Sequence, residues 1–212
     1  MNKKESLTFS NTQKWNTKLK NTLNQYASYH KSFVNQLNIK YKNFNKNNSK
    51  DTKKELKHLI DLQKIRTKYD VIDINNEKSL KYIMIHRFKA SVDEIYNINI
   101  FMEYILLPII FYIKNKNNRV RPSYLTTKLK PCIQNPGHPS YPSGHSLQAY
   151  IIAHILSDKY PHKKTKLFLI ADKISKNREI AGVHYSSDTE YGKYLAEKLF
   201  ILFKQNHILS NI

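Results

Sequence analysis

Residues 121–155 read RPSYLTTKLKPCIQNPGHPSYPSGHSLQAYIIAHI, and five prolines, at 122, 131, 136, 139 and 142, fall before Ser143. Proline removes a backbone donor and fixes φ, so this stretch reads as an irregular loop, and a connection of such length inside a compact domain tends to be functional. Beyond Gly144 and His145, the residues Leu147, Tyr150, Ile151, His154 and Ile155 return at helical spacing. A loop therefore delivers Ser143-Gly144-His145 to a helix N-terminus. The punctuation is lopsided in the same way: all four glycines and six of the seven prolines lie between Pro122 and Gly192.

Working outward, helical spacing continues over about Lys164–Lys176 and Ser187–Phe203, the second opened by Ser187-x-x-Glu190, the pattern of a capping box. Upstream, Leu56, Leu59 and Ile60 outline a helix from Lys53 to about Tyr69, with Asp51 or Thr52 as its cap and Glu55 completing a box with Thr52. Another helical stretch begins near Ser79 and runs, with breaks, to Lys114. It includes Ile100–Ile113, a run of 14 residues interrupted by Glu103 and Pro108. About 20 apolar residues are needed to cross a bilayer, so this run reads as a buried core helix, kinked at the proline. No two-residue alternation and no internal repeat is present. The expectation is an all-α bundle with its loops at one end, divided into a Lys/Asn-rich helical extension over 1–49 and a main domain over 50–212. In the extension, Leu7, Phe9, Trp15, Leu19, Leu23, Tyr26, Tyr29, Phe33 and Leu37 suggest one or two amphipathic helices, and 43–49 looks like a linker.

The chain has 212 residues, enough for one well-buried domain, and 36 Lys+Arg against 16 Asp+Glu give a net charge of +20. Such a field attracts phosphate-bearing molecules, nucleic acid or anionic membrane surfaces. The first fifty residues hold 10 Lys and 11 Asn, an excess that base composition alone also produces. One cysteine, Cys132, excludes an internal disulfide framework. The polar N-terminus lacks the apolar core of a secretory signal. These features lead to the expectation of a soluble, cytoplasmic or otherwise intracellular protein.

Hydrolysis of a phosphate ester without a metal needs fixed cations, backbone N–H donors, a nucleophile and an acid for the leaving oxygen. The C-terminal half holds them all. Lys114, Arg121 and Arg178 supply charge, the two guanidiniums as planar two-pronged donors. Ser143 and Gly144 open a helix whose N-terminus favours anions. One histidine must be neutral to attack and another must carry a proton to the leaving group. Asp188 lies four residues past His184, a spacing that lets its carboxylate orient the imidazole, so His184 reads as nucleophile, Asp188 as its orienter and His145 as general acid/base. Each residue alone has an ordinary explanation: Lys114 as helix capping, Arg121-Pro122 as an extended dipeptide, Ser143-Gly144-His145 as a turn, Asp188 as a first-turn acid. Their coincidence carries the reading. His138 and Tyr141 can line the entrance or simply shape the loop, and the remaining histidines show no metal-site spacing.

The pattern Lys114-x6-Arg121-Pro122, Pro142-Ser143-Gly144-His145 and Arg178-x5-His184-x3-Asp188 resembles the three-part signature of the type 2 phosphatidic acid phosphatase (PAP2)/vanadium haloperoxidase superfamily. The resemblance covers about a third of the chain, and its compact layout is nearest to soluble class A acid phosphatases. It implies a helical bundle in which Lys114, Arg121, Ser143, Gly144 and Arg178 bind phosphate oxygens, His145 is the acid and His184 becomes covalently phosphorylated, with no metal or other cofactor. Asn177 departs from the pattern, which usually has Ser there, and implies altered hydrogen bonding around the site. Vanadate fits the same cradle, as an inhibitor or, in a haloperoxidase, as cofactor. Other readings are a peripheral lipid-phosphate or pyrophosphate phosphatase docked on an anionic membrane, and a basic nucleic-acid-binding protein with a relic pocket.

Overall fold

The computed structural model describes residues 7–21, 44, 46–210 and 212. Among them every regular element is helical. The principal helices are α1 (Lys50–Ile65), α2 (Lys68–Asn76), α3 (Val92–Phe101), α4 (Leu107–Asn117), α5 (Gly144–Lys159), α6 (Lys164–Ile180) and α7 (Ser186–Gln205). A short turn, Leu80–Tyr82, widens into a π-helical turn over Ile83–Phe88, between α2 and α3.

Helix α5 is the centre of the bundle. It is apolar on every side, with Leu147, Ile151, Ile152 and Ala153 fully buried, and packs along both α6 and α7. A helix hydrophobic all round has to be enclosed. The approach of α7 is closest at Gly192, where an added Cβ would lie 2.8 Å from the Ser143 carbonyl oxygen and 3.2 Å from the Leu147 nitrogen. Glycine is the residue that permits this contact. At the end of α6 the chain turns through Gly182, φ +77°, a left-handed conformation in which its amide donates to the Glu179 carbonyl at 2.8 Å.

Helices α3 and α4 form one continuous rod through a π turn at Met102–Leu106, immediately before Pro108. Proline cannot donate to the carbonyl four residues back, and the widened turn absorbs that loss. The rod is longer than the 14-residue run suggests. Among the described residues one helical stretch, Val92–Tyr124, is long and apolar enough to cross a bilayer, with mean hydropathy 1.4 and 44% of that apolar window buried. Val92, Tyr96, Ile100 and Tyr104, four residues apart, leave an apolar stripe exposed along it.

Two caps differ from the sequence expectation. Helix α1 is capped by Ser49, whose Oγ accepts from the Thr52 amide at 3.1 Å, and Glu55 forms no box with Thr52. Helix α7 starts after Tyr185, with Asp188 accepting from the Tyr185 amide at 3.0 Å, instead of a Ser187–Glu190 box. In both cases the side chain that local pattern would use for capping is held by a distant partner.

The described part of the N-terminal segment packs on the main domain. Phe9 is fully buried, its amide donates to the Asn118 carbonyl at 2.9 Å, and the Asn16 amide donates to the Gly137 carbonyl at 2.9 Å. The expected anchors Leu23, Tyr26, Tyr29, Phe33 and Leu37 lie outside the described residues.

Candidate active site

The proline-rich loop and the starts of α5 and α7 meet at a cavity of about 750 Å³. Lys114, Gly144, His145, Arg178 and His184 line it, together with His138 and an apolar wall that includes Leu107, Ile110 and Phe111. Arg121, Ser143 and Asp188 stand behind that lining, each fully buried. The three sequence blocks therefore converge, five residues at the surface of the cavity and three supporting them.

The hydrogen bonds of His184 fix its tautomer. Nδ1 lies 3.0 Å from Asp188 Oδ2 and Nε2 lies 3.1 Å from Arg121 Nη1. A guanidinium only donates and a carboxylate only accepts. The hydrogen therefore sits on Nδ1, and Nε2 carries the lone pair. Burial, and then the charges of Arg121 and Lys114, hold the imidazole pKa well below its usual value, so the ring is neutral. Arg121 also donates to the Val183 carbonyl at 2.7 Å and to the His138 carbonyl at 2.9 Å.

Asp188 uses both oxygens. While Oδ2 serves His184, Oδ1 accepts from Arg119 Nη1 at 2.6 Å. Arg119 in turn reaches Glu55 Oε2 at 3.1 Å, and its guanidinium stacks 3.7 Å from the Tyr185 ring centroid. The other oxygen of Glu55 accepts from the Ser187 amide at 2.7 Å. A buried chain, Glu55–Arg119–Asp188–His184, thus orients the nitrogen that holds the lone pair.

Sequence reasoning missed Arg119 and Glu55. Two signals were present: Arg119 stands two residues before Arg121, and Glu55 shares a helix face with Thr52 and Leu59, which are buried.

On the opposite side, His145 donates from Nε2 to the Glu77 carbonyl at 3.1 Å, leaving Nδ1 as the basic nitrogen of the neutral ring. Burial, reinforced by Arg178, lowers its pKa to about 3. Arg178 Nη2 donates to the Ile74 carbonyl at 3.2 Å and to Glu77 Oε2 at 3.1 Å. Its Nε–H is buried with no hydrogen-bond partner among the described residues, while Arg178 itself lines the cavity. Buried donors are nearly always satisfied, so this guanidinium keeps donor capacity that an anion can use. The amides at the first turn of α5 point the same way, since no helix can satisfy them internally.

Four residues sit differently from the simple picture of a phosphate ligand, the first being Arg121, whose donors go to the carbonyls of His138, Pro139 and Val183 and to His184. Lys114 Nζ donates to the carbonyls of Pro139 at 2.8 Å, Ser140 at 3.1 Å and Pro142, all three of its hydrogens serving the loop. Ser143 caps α5, and its Oγ accepts from Ser146 Oγ at 2.8 Å. A Cβ at Gly144 would make only ordinary contacts, 3.7 Å from Ile110 and 3.9 Å from Lys114, so folding alone does not require glycine there.

An all-helical bundle that gathers cations, helix-start amides and two neutral imidazoles around one cavity has the donors that a tetrahedral oxyanion needs. A sequence model of the PAP2 superfamily matches residues 97–208, more than half of the chain, and the chain belongs to that superfamily. No curated protein matches the sequence. Among solved structures, the chain is similar to one described as the first bacterial vanadium-dependent iodoperoxidase, with 16% identity, a TM-score of 0.57 and 78% of this chain against 52% of that one covered. It therefore spans about half the length of that protein. It is also similar to a transmembrane PAP2-type phosphatidylglycerolphosphate phosphatase from Bacillus subtilis, with 22% identity, a TM-score of 0.54 and 76% of this chain against 88% of that one covered. At these identities the likeness is one of fold.

Proposed function

We propose that the protein is a metal-independent phosphatase that hydrolyses phosphomonoesters through a phosphohistidine on His184. One observation carries the reading: a neutral imidazole, its lone pair fixed on Nε2 by Asp188 and Arg121, lines the same cavity as Arg178, whose Nε–H has no partner among the described residues. In the first step Nδ1 of the neutral His145 takes the proton of a monoanionic phosphate ester, Nε2 of His184 gives up its Arg121 hydrogen bond and attacks phosphorus, the bond to the leaving oxygen breaks, and His145 passes that proton to it. In the second, His145 takes a proton from water, whose oxygen displaces His184 and releases phosphate. Arg178 and the amides of α5 stabilise the charge that spreads over the equatorial oxygens. Asp188, held by Arg119, stabilises the imidazolium that forms. The test is turnover of an aryl phosphate in EDTA, inhibited by vanadate. Loss of activity on chelation overturns the mechanism.

The Val92–Tyr124 helix and its exposed stripe favour a second reading, in which the substrate is a lipid phosphate met at a membrane surface. Salt-sensitive vesicle binding by the intact chain distinguishes it. A vanadate-dependent haloperoxidase is the alternative chemistry. Vanadate would be held by Arg178, the α5 amides and His184, where it would supply peroxide activation, and dye bromination with vanadate and peroxide tests for it.

A further inference from the structure

Glu77, the residue that follows α2, lies twenty positions before the region matched to the superfamily and is fully buried. Its carboxylate sits between two guanidiniums. Oε1 accepts from Arg87 Nε at 3.1 Å and lies 2.9 Å from Nη2 in an ion pair, and Oε2 accepts from Arg178 Nη2 at 3.1 Å. The same Arg87 Nη2 lies 2.8 Å from Asp73 Oδ1. Glu77 Oε2 also accepts from Asn177 Nδ2 at 2.9 Å, which gives the one departure from the superfamily pattern a specific partner. The carbonyl of the same residue receives the Nε2–H of His145. Glu77 thus touches both groups on the side of the cavity opposite His184, one through its side chain and one through its main chain.

We propose, resting on the phosphatase reading above, that Glu77 is a positioning residue. It holds Arg178 by Nη2 so that the rest of the guanidinium is kept for the anion, and it holds His145 so that Nδ1 is the nitrogen that exchanges a proton with the leaving oxygen. Every side chain around the carboxylate is a donor, so a glutamine at 77 turns an N–H against a donor and removes the charge between two guanidiniums. Positioning of this kind matters most when the anion adopts the trigonal shape of the transition state, which vanadate mimics better than phosphate.

The experiment measures binding of orthovanadate and of inorganic phosphate by calorimetry, and turnover of an aryl phosphate per vanadate-binding site. The proteins are wild type, Glu77→Gln, Glu77→Gln with Asn177→Asp, and Arg87→Gln. For Glu77→Gln the expected result is vanadate weakened about ten- to a hundredfold, as for losing the outer partner of a site ligand, with a similar fall in kcat. Phosphate affinity and KM change less than about threefold, because ground-state binding is largely spared. Asn177→Asp, which returns a carboxylate beside Arg178, recovers most of the loss. Equal weakening of both anions, or unchanged vanadate affinity, overturns the proposal. If Glu77→Gln does not fold, Arg87→Gln decides: it removes the outer clamp and lowers the preference for vanadate over phosphate, and an unchanged preference overturns the role. A wild type that binds vanadate but turns over no phosphate ester overturns the phosphatase reading while the anion comparison still tests Glu77. A wild type that binds neither anion overturns both.

Discussion

On the His184 side of the cavity both imidazole nitrogens are engaged by protein, whereas on the Arg178 side a guanidinium N–H is buried with nothing to donate to. On the proposed reading the ligand draws Arg121 off Nε2 on the first side and supplies the missing partner on the second. A nucleophile must keep one lone pair in one direction, so its supports extend two residues deep, through Arg119 to Glu55. An anion site must release its occupant after each turnover, so it keeps a donor unspoken for.

The comparison breaks first at His184. Replacement by alanine should lower kcat on an aryl phosphate about 10⁴-fold or more, as when a covalent catalytic unit loses a member. A residual rate near wild type would place the nucleophile elsewhere. Arg119→Ala should act on stability more than on binding: it takes the cation from buried Asp188 and half-buried Glu55, costing about 3–5 kcal/mol in denaturant titrations. Arg178→Lys keeps charge but removes the planar Nε donor, and should lower kcat/KM about 10²-fold or more while the melting temperature changes little.

Acidity tests the buried imidazoles together. His184 and His145 have pKa values lowered in the folded protein from 6.5, His145 to about 3. Below pH 6.5 the unfolded chain takes up protons that the folded protein refuses. Their contribution to stability is therefore complete above 6.5 and declines as pH falls toward the folded values, by about 1.4 kcal/mol per pH unit for each group. Denaturation midpoints at pH 7.5 and 5.5 check this, and His145→Gln should flatten the slope. The smallest effect belongs to Asn177→Ser, which shortens the reach to Glu77 and should cost about 1 kcal/mol of stability, one buried hydrogen bond.

Much of this side-by-side design was readable from the chain itself. The loop that ends at Ser143, the helix that starts at Gly144, and the spacing from His184 to Asp188 are local patterns, and local patterns survive folding. The supports were hidden because each joins segments far apart in sequence: Glu55 meets Arg119 and Ser187, and Glu77 meets Arg178. That is also why two capping boxes were misread. Glu55 fits the Thr52 box and Ser187 fits the Glu190 box by spacing, but tertiary contacts claim both. Lys114 teaches the same lesson, since its spacing to Arg121 singles it out as a phosphate ligand while its ammonium turns to loop carbonyls that no spacing rule reveals. The helix through Val92 falls within the stretch expected from near Ser79 to Lys114, but Asp93, Glu94, Asn97 and Asn99 dilute its apolar character, so only the run from Ile100 stands out by composition.

The contact of Gly192 with the Ser143 carbonyl has one more consequence. The gap between α5 and α7 at this end is gauged by main-chain atoms, which have no rotamers to relax into, and Ser143 further donates its amide to the Asp188 carbonyl at 2.9 Å. The two helices are in effect riveted beside the reacting groups, and the separation of His145 from His184 inherits the stiffness of the peptide unit.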